Sequence, residues 1–336
     1  MRTKIVYVLS SNKEDLYLSQ TTVSAYSLKN KNPDAVVELV VDKKTDMTIV
    51  GKRAMILDYI DKKIVVEVPE KYNKVQTSRY LKTNLRNYIS GDFLYIDSDT
   101  IITDKLDEID NFSASLGMVL NAHVPISLRD HDLKKLIRQH LHEAGWEGEK
   151  DPVYYNGGLI YAKDDDTAKL FFQLWHDKWK FTNENCGWLY DQPSLAVVNE
   201  ELGLPIAELD GTWNCQILRN GLNYLYKAKI IHFWTSTANR QKKSDEAFLF
   251  FDSRIYEDLG EKGFISQELK ELIDNAKGGF VTPNRIVVGN ELELLGNRLH
   301  YFALYYPKVY EFFIFMARCL GFLITQKRKV IGLLGL

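Results

Sequence analysis

The sequence predicts an α/β fold with a mostly parallel central sheet and flanking helices. Two observations carry that prediction. From Lys4 to Asp97, short apolar runs alternate with helix-length stretches, the pattern that covers both faces of a parallel sheet with helices. Polar clusters also follow three of the runs, at Ser10-Ser11-Asn12, Asp42 and Asp97-Ser98-Asp99. In sheets of this kind ligands sit beyond the carboxyl ends of the strands.

The elements follow in order. Lys4 to Ser10 (KIVYVLS) reads as a buried strand and Tyr17 to Leu28 as a helix, with Leu18, Val23, Tyr26 and Leu28 as its apolar positions. Ala35 to Asp42 (AVVELVVD) is a second strand, Val50 to Ile60 a helix and Lys63 to Val68 (KIVVEV) a third strand. Ser78 to Ile89 is a helix with Ser78 as N-cap, and Phe93 to Asp97 a fourth strand. Beyond them come a strand at Leu116 to Asn121 and an amphipathic helix at Leu128 to His142, which carries His131, His140 and His142. Leu159 to Ala162 is a strand approached through Asn156-Gly157-Gly158. Thr167 to Trp179 and Pro193 to Leu202 are helices, and Lys229 to Phe233 (KIIHF) is the last strand. Asp164-Asp165-Asp166 suits a helix N-terminus. From Ser244 onward the pattern is helical and more charged.

Composition narrows the function. With 43 Lys+Arg against 45 Asp+Glu there is no basic face for nucleic acid. An apolar fraction of 45% in 336 residues suffices for a full core. Cys186, Cys215 and Cys319 stand far apart with no CxxC pair, against a zinc ribbon or redox pair and in keeping with a reducing compartment. The opening residues lack the charged-then-apolar layout of a signal peptide, so the main body is expected in the cytoplasm.

The end of the chain differs. Phe312 to Phe322 is apolar apart from Arg318, Lys327-Arg328-Lys329 follow, and Val330 to Leu336 is apolar again. Both stretches fall short of the ~20 apolar residues of a spanning helix. The mixture suits an interfacial anchor, with cations on anionic head groups and Phe and Leu in the acyl boundary. A helix docked on the core is the alternative.

Asp97 and Asp99 carry the chemistry. Two residues apart on extended chain, their side chains leave on one side. Carboxylates held together repel unless a proton or cation intervenes, and their oxygens suit Mg²⁺ or Mn²⁺. A metal there would grip a diphosphate. By itself Asp-Ser-Asp-Thr is equally a turn.

The chain resembles glycosyltransferase family 8, which contains glycogenin and the bacterial lipopolysaccharide galactosyl- and glucosyltransferases. The resemblance runs from about Lys4 to Phe233. It lies in the order and spacing of the first strand ending near Asn12, FLYIDSDTII (Phe93 to Ile102), YYNGGLIYAK (Tyr154 to Lys163), YDQPSL (Tyr190 to Leu195) and IIHF (Ile230 to Phe233). It implies a nucleotide-diphospho-sugar transferase (GT-A) fold, placed over 1–245; the residue pattern itself marks a helical extension over 246–311 and the tail at 312–336. The implied activity is retaining transfer of a hexose, glucose or galactose, from a UDP-sugar to a glycan or lipid-linked acceptor in surface polysaccharide synthesis.

By position the resemblance makes Asp97, Asp99 and His232 ligands of Mn²⁺ or Mg²⁺, with Ser98 between them. Asp191 and Gln192 match the acidic-Gln pair that flanks the reacting sugar. Asn156, Gly157 and Gly158 line the donor and acceptor pocket, while Val8, Ser10 and Asn12 fall where uracil and ribose are held. Arg79 and Lys82 both fall where a basic residue meets the diphosphate. Each has a plainer reading: His232 as a buried histidine bonded to backbone, Asp191 as the N-cap before Pro193, the glycines as a turn into the strand. The sequence departs from the family after His232, where a Gly and a Lys-Pro-Trp are replaced by a run that includes Arg240, Lys242 and Lys243. Ser10 stands where the family often has an acidic residue. Two other functions fit YIDSDTII: a haloacid-dehalogenase-like phosphatase with Asp97 as nucleophile and Asp99 as acid and base, and a non-catalytic sugar-nucleotide-binding protein of the same fold.

Overall fold

The computed structural model describes residues 1–129, 131–217, 220–233, 253–279, 302 and 306–333. Its strands are β1 (Lys4–Leu9), β2 (Val37–Asp42), β3 (Lys62–Val66), β4 (Phe93–Ile96), β5 (Thr100–Ile102), β6 (Leu116–Leu120), β7 (Tyr155–Ala162), β8 (Ile206–Glu208), β9 (Cys215–Gln216) and β10 (Ile230–His232). Seven of them form one sheet in the order β3-β2-β1-β4-β7-β6-β8. All neighbours are parallel except β4–β7 and β6–β7. A small second sheet runs β5-β10-β9.

The helices are α1 (Tyr17–Lys31), α2 (Lys43–Asp46), α3 (Lys74–Thr83), α4 (His131–Glu143), α5 (Asp166–Cys186), α6 (Gln192–Glu201), α7 (Leu222–Leu225), α8 (Ser253–Lys262), α9 (Gln267–Asp274), α10 (Ala276–Gly279) and α11 (Pro307–Leu333). The chain divides into two units, Met1–Val281 and Thr282–Leu336.

The β-branched runs are buried on both faces, as a parallel sheet requires. Ile5, Tyr7 and Leu9 of β1 join Val37, Leu39 and Val41 of β2 in one core layer. Val6 and Val8 join Val40, Phe93 and Tyr95 in the other. The period of two sorts them, and a one-residue slip would exchange the layers. Each fully buried aliphatic contributes roughly 1.5–3 kcal/mol, so the register is strongly specified. A third cluster joins Val23, Ile101, Ile231 and Phe233 to Tyr256, Leu259, Leu269 and Ile273 of α8 and α9.

Several expectations shift. The helix before the carboxylate strand starts at Lys74, a turn before Ser78. Asn73 is its N-cap: Asn73 Oδ1 accepts from the Gln76 amide at 3.0 Å and Gln76 Oε1 from the Asn73 amide at 2.9 Å. Ser78 therefore lies inside the helix. Val50 to Ile60 winds as a 3-10 helix over Gly51–Tyr59. Asn156-Gly157-Gly158 lie within β7 and do not turn into it. β5, β8 and β9, of three residues or fewer, are too short for periodicity to reveal.

In the second unit α11 leaves Phe312, Phe313, Phe315, Met316, Leu320 and Phe322 exposed. Among the described residues no helix is long and apolar enough to cross a membrane.

Candidate functional site

β4 delivers Asp97, Ser98 and Asp99 at its carboxyl end, and β5 starts at Thr100. β10 pairs antiparallel with β5, His232 opposite Thr100. That register sets an imidazole from the last strand against carboxylates more than a hundred residues earlier in the chain. His232 Nε2 lies 3.3 Å from Asp99 Oδ1 and 3.9 Å from Asp97 Oδ2. One ligand atom from each of the three residues lies within 4.8 Å of the others. Burial depresses the His232 imidazolium, but Asp99 and then Asp97 outweigh it and raise its pKa above the ordinary value.

A hydrogen-bonded chain behind His232 orients the ring. The Gly158 amide must donate, and it does so to Asn156 Oδ1 at 2.9 Å. Asn214 Nδ2 donates to the same oxygen at 3.0 Å. The other end of Asn214, Oδ1, then faces His232 Nδ1 at 3.0 Å, so Nδ1 carries the proton. A ring bonded this way turns Nε2 to the carboxylates, the arrangement of a metal-bound histidine. His232 is buried, as the plainer reading expects, but Nδ1 pairs with a side chain and not with backbone.

Space is equally specific. A Cβ on Gly158 would come within 2.5 Å of His232 Cε1 and 2.8 Å of Asp97 Oδ2. The Gly158 carbonyl also accepts from the Asp97 amide at 2.9 Å. The glycine is there for close approach and not for a turn. Tyr95 Oη donates a short hydrogen bond to Asp97 Oδ1. Oxygen, oxygen and imidazole nitrogen fit a hard divalent ion such as Mn²⁺ or Mg²⁺.

Arg79 and Lys82 project one turn apart from α3 towards Asp191. Lys82 Nζ lies 2.5 Å from Asp191 Oδ2, and Arg79 Nε 3.4 Å from Asp191 Oδ1. Burial raises the Asp191 carboxyl, but Arg79 and Lys82 overcome it and hold the pKa below the ordinary range. The two cations then part. The Lys82 side chain is 3% exposed and also donates to the Gly157 carbonyl at 3.3 Å, whereas Arg79 is 30% exposed. Arg79 lines the cavity beside Asp97 and Asp99, and Lys82 lies behind its wall.

Asp191 occupies the N-cap position of α6, yet its side chain makes no capping hydrogen bond. Its carboxylate serves the two cations, and its carbonyl accepts from Trp175 Nε1 at 2.9 Å. Gln192, by contrast, reaches the cavity. Its Nε2 donates to the Tyr155 carbonyl at 2.9 Å, which fixes the amide plane.

The cavity over the three metal-type ligands measures about 280 Å³, and its walls include Val8, Tyr17, Arg79, Ser98 and Asn156. An adjoining one of about 130 Å³ shares Val8, Tyr17, Arg79 and Ser98 and adds Ser10. Ser98 Oγ accepts from Thr21 Oγ1 at 2.8 Å. Asn12 is turned to its own loop, where Oδ1 accepts from the Glu14 and Asp15 amides at 2.9 and 3.2 Å. Sequence reading missed Asn214, Tyr95, Tyr17 and Ser78. Tyr95 lies inside FLYIDSDTII; nothing local marks the other three. Arg240, Lys242 and Lys243 fall outside the described residues.

No protein-family model matches the chain, and no curated protein sequence does. Solved structures do. An active-site mutant of LgtC superposes with a TM-score of 0.50 at 14% identity, over 80% of this chain and 99% of that one. The bifunctional glycosyltransferase WbbM, apo, gives 0.50 at 13% identity over 80% of this chain and 51% of that one. Mouse xyloside xylosyltransferase 1 gives 0.46 at 16% identity over 70% and 98%. The chain has the GT-A glycosyltransferase fold, its mostly parallel sheet flanked by helices.

Proposed function

We propose that the protein is a metal-dependent retaining glycosyltransferase that moves a hexose, glucose or galactose, from a UDP-sugar to a glycan or lipid-linked acceptor. The observation that carries this reading is the meeting of Asp97, Asp99 and His232 at the carboxyl end of the central strands, facing a cavity with Arg79 in its wall. The GT-A fold supports it.

In this reading Asp97, Asp99 and His232 hold Mn²⁺ or Mg²⁺, which when bound supplies Lewis-acid stabilisation to the leaving diphosphate. Arg79 adds its charge on the same side. Val8, Ser10 and Ser98 bound the nucleotide space. Asn156 lies in the floor beneath the sugar, with Gly157 and Gly158 on the strand beside it. As the bond from the anomeric carbon to the phosphate oxygen breaks, positive charge grows on the ring. The Gln192 amide oxygen, its plane fixed by the Tyr155 carbonyl, faces that charge, while Asp191 is held ionised by Lys82 and Arg79. The acceptor oxygen bonds to the anomeric carbon on the face the diphosphate leaves. Its proton passes to the departing phosphate oxygen, so no separate base is required. The phosphatase reading leaves His232 and its oriented ring without a role.

The test is UDP release from UDP-glucose and UDP-galactose with Mn²⁺, beside hydrolysis of p-nitrophenyl phosphate. Metal-dependent UDP release, lost in Asp99→Ala with the fold intact, is expected. Full activity in that variant would overturn the site, and phosphate-ester cleavage without UDP release would favour the phosphatase. Tight UDP binding with no turnover would favour the binding protein.

The exposed phenylalanines of α11 support a second part of the reading, peripheral contact with a membrane surface. Co-sedimentation with anionic vesicles, reduced by Phe312→Ser together with Phe315→Ser, is the expected result. Unchanged sedimentation would remove this part alone.

A further inference from the structure

A second chamber of about 360 Å³ adjoins the first at Gln192, which lines both. One side of its wall is aliphatic, with Val124, Leu128, Leu133, Leu136 and Ile137. The sequence of α4 explains this. Ile137 and Leu141 pack with Ile126, Tyr154 and Val197 in a small core of their own. The apolar stripe of the helix is wider than that core needs, and Leu136 is left 42% exposed at the chamber. Leu128 is 72% exposed and Tyr190 53%. Apolar surface gathered in a concavity beside a reactive site marks a place where a ligand displaces water.

The polar groups of the wall are mostly spent on the protein itself. Arg129 Nη2 donates to the Asn121 and Val124 carbonyls, and Asn220 Nδ2 to the Ala122 carbonyl at 3.0 Å. His140 is 6% exposed and packs against the rings of Trp188 and Tyr190, with centroids 4.0 and 5.1 Å away. Its Nε2 and the Asn121 Oδ1 are buried without a hydrogen-bond partner. His140 Nε2 and Asn121 Oδ1 can each take one hydroxyl, but the other hydroxyls of a saccharide ring would face Val124, Leu128, Leu133, Leu136 and Ile137, and each buried unpaired hydroxyl is costly. An alkyl or aromatic group meets no such cost.

Resting on the transferase reading above, we propose that this chamber receives the apolar part of the acceptor, an alkyl or aromatic aglycone, and so presents the hydroxyl next to it at Gln192. The acceptor is amphipathic: a short polar portion crosses the Gln192 junction and the apolar portion fills the space between α4 and Tyr190. Free sugars and methyl glycosides fill only the junction.

The experiment compares UDP release in the presence of methyl, octyl and phenyl glucosides and galactosides, with Mn²⁺ and the octyl compounds below their micelle concentration. Octyl or phenyl glycosides are expected to half-saturate at a concentration about tenfold lower than the methyl glycoside, the gain from burying roughly two methylenes. A preference for octyl over phenyl assigns a lipid-type tail, and the reverse an aromatic one. Leu128→Asp should erase the preference and leave acceptor-independent donor hydrolysis unchanged, and Leu136→Asp is the second variant should the first fail to fold. Equal half-saturation by methyl and octyl glycosides, or a preference that survives both variants, overturns the chamber assignment. If no UDP is released with any acceptor, the transferase reading has failed, and calorimetric titration with octyl and methyl glycosides alone decides the chamber. Tighter octyl binding that Leu128→Asp removes sustains it, and equal binding overturns it.

Discussion

His232 Nδ1 donates to Asn214 Oδ1 across 3.0 Å, and the direction of that bond is dictated from the far side of Asn214 by the Gly158 amide through Asn156. The imidazole therefore turns Nε2 towards Asp97 and Asp99 before any ion arrives. Removing such a partner typically costs 10–100-fold in metal affinity. Asn214→Ala should weaken Mn²⁺ binding by about that factor while the circular dichroism spectrum stays native. Unchanged affinity would show that the ring is positioned by packing alone.

Gly158→Ala should lose metal binding and activity together. The added methyl would sit 2.5 Å from the His232 ring and 2.8 Å from Asp97 Oδ2, with the strand unable to give way on either side. Gly157→Ala is the control. Its methyl would meet Lys82 Nζ at 3.2 Å, the tip of a flexible side chain, and a milder loss is expected. Comparable activity in both variants contradicts the close-approach argument.

Metal affinity should fall as pH is lowered. Burial opposes the charge on His232, but Asp99 and Asp97 raise its pKa above the ordinary value, so a proton must leave before a metal binds. Apparent Mn²⁺ affinity should be flat at alkaline pH and fall about tenfold per pH unit once the raised pKa is passed. In Asp99→Asn the main supporting charge is gone, and the His232 ring, followed by NMR without metal, should titrate at lower pH. Titrations of both proteins across the neutral range decide the matter; coincident onsets sink it.

Arg79 and Lys82 should separate into two phenotypes. Lys82 is buried against Asp191, and removing one partner of a buried pair strands the other. Lys82→Met should destabilise the fold by about 3 kcal/mol, the low end for such pairs because Arg79 remains. Arg79→Met should cost little stability and weaken UDP binding instead. Thermal melts beside UDP titrations distinguish the two, and the reverse assignment would make Lys82 the diphosphate contact.

Much of this fold is legible in the residues. The apolar runs at 4–10, 35–42 and 93–97 mark β1, β2 and β4 because strands buried on both faces need continuous apolar sequence. The carboxylates after FLYI are legible because they follow such a run directly. α3 starts before Ser78 because Asn73 and Gln76 form a capping box that outcompetes it. The glycines of β7 read as a turn because sequence cannot show a side chain arriving from elsewhere.

The alternation of elements, the sorting of core layers by period, and the chemistry available at Asp97, Asp99, Asp191, Gln192 and His232 follow from the residues alone. Those properties are local, set by burial and by spacing along one strand or helix. Which groups meet is set by the folded chain. The β5–β10 register brings His232 to the carboxylates, the Gly158–Asn156–Asn214 chain turns its ring, and α3 sends Lys82 behind the cavity wall and Arg79 into the cavity. These are distances between atoms far apart in sequence, and they exist only once the apolar layers have closed and fixed each backbone against the next.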